Sequence, residues 1–74
     1  MDLSHNKIPD INIFYKTSFK GLKKLYLNNN EICDIQVLKK FSLEELNIKD
    51  NKIEGLKNYS IIRILKYYGT KIDK

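Results

Sequence analysis

Leu22-Lys23-Lys24-Leu25-Tyr26-Leu27-Asn28-Asn29-Asn30-Glu31-Ile32 is answered further along the chain by Leu43-Glu44-Glu45-Leu46-Asn47-Ile48-Lys49-Asp50-Asn51-Lys52-Ile53. Both stretches fill one template, L-x-x-L-x-L-x-x-N-x-I, with isoleucine standing for the third leucine in the second copy. Met1-Asp2-Leu3-Ser4-His5-Asn6-Lys7-Ile8 enters the same template partway through. Ile62, Leu65, Tyr67, Thr70 and Ile72 extend it as a fourth, degenerate copy in which threonine takes the place of asparagine. The copies divide the chain into repeats at about 1–21, 22–42, 43–61 and 62–74 of one domain spanning 1–74. Repeats with a period near 20 residues are supersecondary units that bury their apolar faces only by stacking on one another.

Within each template the L-x-L core alternates apolar and polar residues, the period of a half-buried strand. Leu25 and Leu27, Leu46 and Ile48, and Leu65 and Tyr67 are expected to point inward, with stacked strands forming one parallel sheet. An asparagine side chain has both acceptor and donor capacity, which suits the sharp turn after the strand, where backbone groups need partners. Asn6, Asn30 and Asn51 are therefore read as structural, and Thr70, with one donor, should close a looser turn. Charges align across copies as Lys23, Glu44, Arg63 and as Lys24, Glu45, Ile64, so opposite signs meet on neighbouring strands.

A second pattern follows each asparagine, with apolar residues at a spacing of three. These are Ile8, Ile11 and Phe14, then Ile32, Ile35 and Leu38, then Ile53, Leu56 and Tyr59. Extra length between Phe14 and Leu22 predicts a longer outer loop anchored by Phe19.

These segments resemble the leucine-rich repeat family over nearly the whole chain. The spacing of three resembles its short intracellular class, which includes a regulatory subunit of protein phosphatase 1. The resemblance implies an α/β solenoid, a right-handed superhelix with about four short parallel strands on its concave face. It also implies that the concave face binds a protein or peptide. That face would carry Asp2, Ser4 and His5, then Tyr26, Asn28 and Asn29, then Asn47, Lys49 and Asp50, and finally Lys66 and Tyr68. Tyr26, Asn28, Asn47, Lys49, Lys66 and Tyr68 are the candidate partner-binding residues, since tyrosine gives large contact area at low entropic cost.

Composition bounds the alternatives. The 74 residues are 42% apolar and 31% charged, as in a soluble globular domain, and no apolar run approaches the roughly 20 residues of a membrane span. No membrane partner is expected. The first residues lack the basic start and apolar stretch of a secretory signal, so an intracellular, cytoplasmic location is expected. Cys33 is the only cysteine and His5 the only histidine, which leaves no disulfide and no expected metal site or cofactor. Cys33 is read as a buried or half-buried inert thiol. No glycine-rich phosphate loop or nucleophile with a base at usable spacing is present, so the chain is not read as an enzyme.

The net charge of +5 makes a nucleic-acid surface the alternative function. Thirteen lysines and one arginine are spread along the chain with no run longer than the pairs Lys23-Lys24 and Lys39-Lys40, and AT-rich codons favour lysine, isoleucine, asparagine and tyrosine alike. Nucleic acid is therefore not the expected partner. The template starts at Met1 within a strand and ends just past Ile72 with no polar capping unit. Self-association through uncapped ends, a place within a longer array, or a remnant without independent function are the corresponding expectations.

Overall fold

The computed structural model describes all 74 residues. The first two strands follow from the L-x-L alternation, β1 at Lys24–Tyr26 and β2 at Glu45–Asn47, and β3 is Lys71–Asp73 around the single apolar Ile72. They form one parallel sheet in the order β1-β2-β3, with Leu25, Leu46 and Ile72 in register. Residues before β1 join the same edge: the Leu3 N–H donates to Tyr26 O at 2.8 Å, the Tyr26 N–H donates to Met1 O at 2.9 Å, and Asp2 pairs with Tyr26 as an isolated bridge. The sheet therefore has three strands and one bridge where about four strands were expected.

Between strands the chain crosses the outer side. The spacing of three in the first two copies yields short 3-10 helices, Asn12–Tyr15 and Gln36–Lys40, because three residues per turn brings every third side chain to one face. Ile11, Phe14, Ile35 and Leu38 are buried there, beneath the inward leucines of the sheet. Phe19 packs edge-on to Phe14 at 5.4 Å and lies 6.2 Å from Phe41, so it anchors the long first loop as expected. Lys40 fixes the same loop by donating to the carbonyls of Phe14 and Thr17.

The third crossing departs from the template. Leu56–Tyr67 is an α-helix, α1. Its buried face is Asn58, Ile61, Ile62 and Leu65, the i, i+3, i+4, i+7 stripe of a 3.6-residue period. Leu65 and Tyr67 are consequently helical and do not point inward from a strand, and Ile72 takes the strand position expected for Leu65. Leu56 and Tyr59, which continue the spacing of three, are exposed here. The column of Lys23, Glu44 and Arg63 does not form either, since Arg63 lies on α1, and the boundary between 61 and 62 falls inside this helix.

Helix α1 ends in a hydrogen-bonded turn closed by Gly69. The Thr70 N–H donates to Leu65 O at 2.9 Å and the Gly69 N–H donates to Lys66 O at 3.0 Å, the paired bonds of a Schellman motif. Thr70 then leads into β3, and its hydroxyl donates to Leu43 O at 2.6 Å within the core. This turn is tight, contrary to the expectation for Thr70, because the threonine precedes a strand and its single donor meets a single buried acceptor.

Candidate functional site

The sheet has one buried face and one open one. Leu25, Leu27, Leu46 and Ile48 fill the core, so the residues alternating with them face outward. Strand register sorts these outward residues into rows that run across the sheet. One row is Lys24, Glu45 and Lys71; the next is Asp2, Tyr26, Asn47 and Asp73. Asn28 and Lys49 continue the alternation beyond the strand ends, where the Asn29 N–H donates to Lys49 O at 2.9 Å and ties the two copies together.

Glu45 is the hub of this face. Its Oε2 accepts the Tyr26 hydroxyl at 2.9 Å and lies 3.9 Å from the Lys24 ammonium. Opposite charges on adjacent strands meet here as the sequence predicts for Lys24 and Glu45. The hydrogen bond to the Glu45 carboxylate holds the Tyr26 phenol above its ordinary value, because ionisation would place two negative charges together. A hollow of about 200 Å³ beside this pair is lined by Tyr26, Glu45, Leu46, Lys71 and Asp73. At the sheet edge the Asp2 carboxylate accepts the Ser4 hydroxyl at 2.6 Å and the Ser4 N–H at 3.0 Å, and these bonds hold its acid below the usual range.

Of the six candidate residues, Tyr26, Asn28, Asn47 and Lys49 share the open face. Lys66 and Tyr68 do not join them. Lys66 is in the last turn of α1 and Tyr68 caps that helix, on the outer side, because the Ile62 to Tyr67 segment follows a helical period. Sequence reasoning missed Lys24, Lys71 and Asp73 as members of the face. The alternation around Leu25 was the signal for Lys24; the last two needed β3 to be recognised.

His5, Asn29 and Asp50 belong to the turn more than to the face. Each directly precedes its copy's asparagine and has a left-handed backbone, with φ of 58°, 60° and 56°. Short polar side chains tolerate that conformation best among residues with a Cβ. The asparagines that follow link the copies. Asn30 Oδ1 accepts the Asn6 and Ile8 N–H groups, and its Nδ2 donates to Leu3 O and Leu27 O. Asn51 repeats the arrangement one copy later with the Ile32 N–H and with Leu27 O and Ile48 O. A third asparagine that links copies, Asn58, is buried and escaped the sequence reading altogether. Cys33, expected at least half-buried, is exposed, since the residues that pack inward are its neighbour Ile32 and then Ile35.

No helix is long and apolar enough to cross a membrane. A family model described as Leucine Rich repeats (2 copies) matches residues 1–40, and one described as Leucine Rich Repeat matches residues 42–64. Neither a curated protein nor a solved structure matches the chain. Two complete templates, strands stacked in parallel register and an asparagine linking each copy to the one before it accord with those matches, and the chain belongs to the leucine-rich repeat family, whose domains typically serve as scaffolds for protein–protein interaction.

Proposed function

We propose that this chain is a protein-interaction module that holds an extended peptide segment on its open, concave sheet face, with Tyr26 at the centre of the contact. The observation that carries this reading is the position of Tyr26. It is half-buried in the middle of a flat polar row, and its hydroxyl is already oriented by Glu45, so little side-chain freedom is lost on binding. Asn28 and Asn47 offer amide donors and acceptors on either side. Lys49 supplies a charge at the rim.

Charge argues against nucleic acid at this face. Asp2, Glu45 and Asp73 offset Lys24, Lys49 and Lys71, so the face as a whole contributes nothing to the net +5. Size favours a peptide over a broad surface. Three strands and a bridge span about 15 Å at roughly 4.8 Å per strand, which is narrow for the about 800 Å² per partner of a stable globular interface. Assignment to the short class of repeats and an intracellular peptide partner belong to this same reading.

The test is selection from a displayed random-peptide library with the whole chain as bait. Selected peptides should lose at least tenfold in affinity when Tyr26→Ala or Lys49→Ala is introduced, and keep it with Tyr67→Ala on the outer side. Peptides that are indifferent to Tyr26→Ala and Lys49→Ala would overturn the proposal.

A further inference from the structure

Lysines that are scattered in sequence are gathered by the coil. Each repeat has an outgoing half, from strand to outer side, and a return half, from outer side to the next strand. Return halves carry Lys16, Lys20 and Lys23 in the first copy, Lys39 and Lys40 in the second, and Arg63 and Lys66 on α1, against one carboxylate, Glu44. Outgoing halves carry four basic residues, Lys7, Lys52, Lys57 and Lys74, against five acidic ones, Asp10, Glu31, Asp34, Asp50 and Glu54. With the sheet face neutral, the segments that return to the strands hold the net positive charge, and Lys66, at the end of the stack, also meets Lys74.

Aromatic side chains lie on the same edge. Tyr15, beside Lys16, is 55% exposed, and Tyr67 and Tyr68, between Lys66 and the next strand, are 84% and 80% exposed. Tyr67 and Tyr68 stand edge to face at 5.4 Å and leave flat ring surface open to solvent. Between the Gln36–Lys40 helix and α1 runs a cleft of about 410 Å³ lined by Lys39, Phe41, Glu44, Ile64 and Tyr68. Past Ile64 it opens into a shallower hollow of about 540 Å³ bounded by Ser60, Arg63 and Tyr67.

We infer that this return edge binds single-stranded nucleic acid, with lysine and Arg63 side chains on the phosphates and Tyr15, Tyr67 and Tyr68 stacking on bases. Exposed aromatics interleaved with cations along a track are what a flexible polyanion with planar bases requires. A second copy of the chain does not fit, since α1 has Lys57, Arg63 and Lys66 and no acidic residue, and two such edges would repel. The long dimension of 27 Å suits the short end of the about 4 to 16 nucleotides that such tracks hold. This edge is separate from the sheet face, so either surface can fail without the other.

The experiment is fluorescence anisotropy with the full chain and a labelled 12-nucleotide oligouridylate, at two salt concentrations. About four or five phosphates neutralised gives a slope of log affinity on log salt near −3, at about −0.7 per contact. Lys20→Gln with Arg63→Gln should weaken binding and flatten the slope by about 1.4, two contacts at about 0.7 each. Tyr67→Ala with Tyr68→Ala should weaken binding by at least about fivefold while leaving the slope unchanged. Lys49→Gln with Lys52→Gln removes equal charge elsewhere and should change neither. All six positions are solvent-facing, and circular dichroism of each variant checks the fold. Absence of salt-dependent binding, or equal weakening by Lys49→Gln with Lys52→Gln, overturns the inference. Equal or tighter binding of a polyglutamate of the same charge also overturns it and assigns the edge to an acidic protein.

Discussion

The side-chain oxygen of Asn58, in the first turn of α1, accepts the backbone N–H of Ile35 at 3.0 Å and so joins the third copy to the second across 23 residues of chain. Its amide nitrogen donates to Cys33 O at 2.7 Å and to Glu54 O at 2.9 Å. Asn58 thus does on the outer side what Asn30 and Asn51 do beside the sheet. Replacement by alanine strands one amide hydrogen and two carbonyls in a site where the side chain is buried. Asn58→Ala should therefore cost about 2–3 kcal/mol, measured by urea unfolding, with a fall in Tm of roughly 10 °C for a domain of this size. Asn58→Asp keeps the acceptor for Ile35 but turns an anionic oxygen toward two carbonyls. It should be destabilised at neutral pH and recover on acidification, as the buried carboxylate takes up a proton.

Asn30 and Asn51 occupy the same template position but are not equivalent. Asn30 accepts two backbone N–H groups, from Asn6 and Ile8, whereas Asn51 accepts one, from Ile32. Asn30 is also the more buried. Unmade bonds cost most where water cannot replace them, so Asn30→Ala should destabilise more than Asn51→Ala by about 1 kcal/mol. Paired denaturation curves decide it; an equal or reversed order would show that burial does not set the cost here.

Gly69 marks where α1 stops, with φ of +93° and nothing within 4 Å of the position a Cβ would take. Substitution meets no steric obstacle from neighbouring groups, so the cost of Gly69→Ala is backbone strain alone, about 1–2 kcal/mol. Gly69→Asn should cost less, since asparagine tolerates left-handed backbone better. Thermal unfolding should rank the three glycine, asparagine, alanine in falling Tm. A Gly69→Ala protein as stable as the parent would mean that the turn re-forms by another route.

The same glycine explains how far the fold was legible in the sequence. Leu25, Leu46, Asn30 and Asn51 could be read directly, because two full copies of the template fixed strand, turn and stacking together. Ile62 and Leu65 misled, because a spacing of three serves the strand entry of the template and the buried stripe of a helix equally well. Gly69 after a run free of glycine and proline from Leu56 was the signal for a helix C-terminus, and it places the last strand at Ile72. Asn58 gave no signal of its own, since two of its three partners are backbone atoms 23 and 25 residues away, a proximity that only the stacking of copies creates.

The candidate site was legible in its middle and not at its far end, for the same reason. Tyr26 and Asn47 alternate with leucines that the template identifies. Asp73 and Lys71 join them only once β3 pairs with β2 in register. The basic return segments were not legible as a unit, since Lys20, Lys39 and Arg63 stand in separate copies, 19 and 24 residues apart in sequence. Composition gave their sum and not their placement.

Two groups on the open face should titrate at opposite ends of the pH scale, and each is checked by its partner. Asp2 is held below its ordinary value of 3.8 first by the Ser4 hydroxyl and then by the Ser4 N–H. An acid with a depressed folded value contributes stability above its unfolded value and loses it as pH falls through the folded one. A carbon-13 carboxyl titration should place the Asp2 midpoint below 3.8, and Ser4→Ala should raise it. Tyr26 is held above 10.0 first by its hydrogen bond to Glu45. Its raised value makes the contact complete at neutral pH and lost as pH rises through the folded value. A carbon-13 titration of the Tyr26 ring should place its midpoint above 10.0, and Glu45→Gln should lower it. If the Tyr26 midpoint in the parent protein is not above 10.0, the Tyr26–Glu45 pair is open in solution, and the pre-oriented ring on which the proposed peptide contact depends is lost with it.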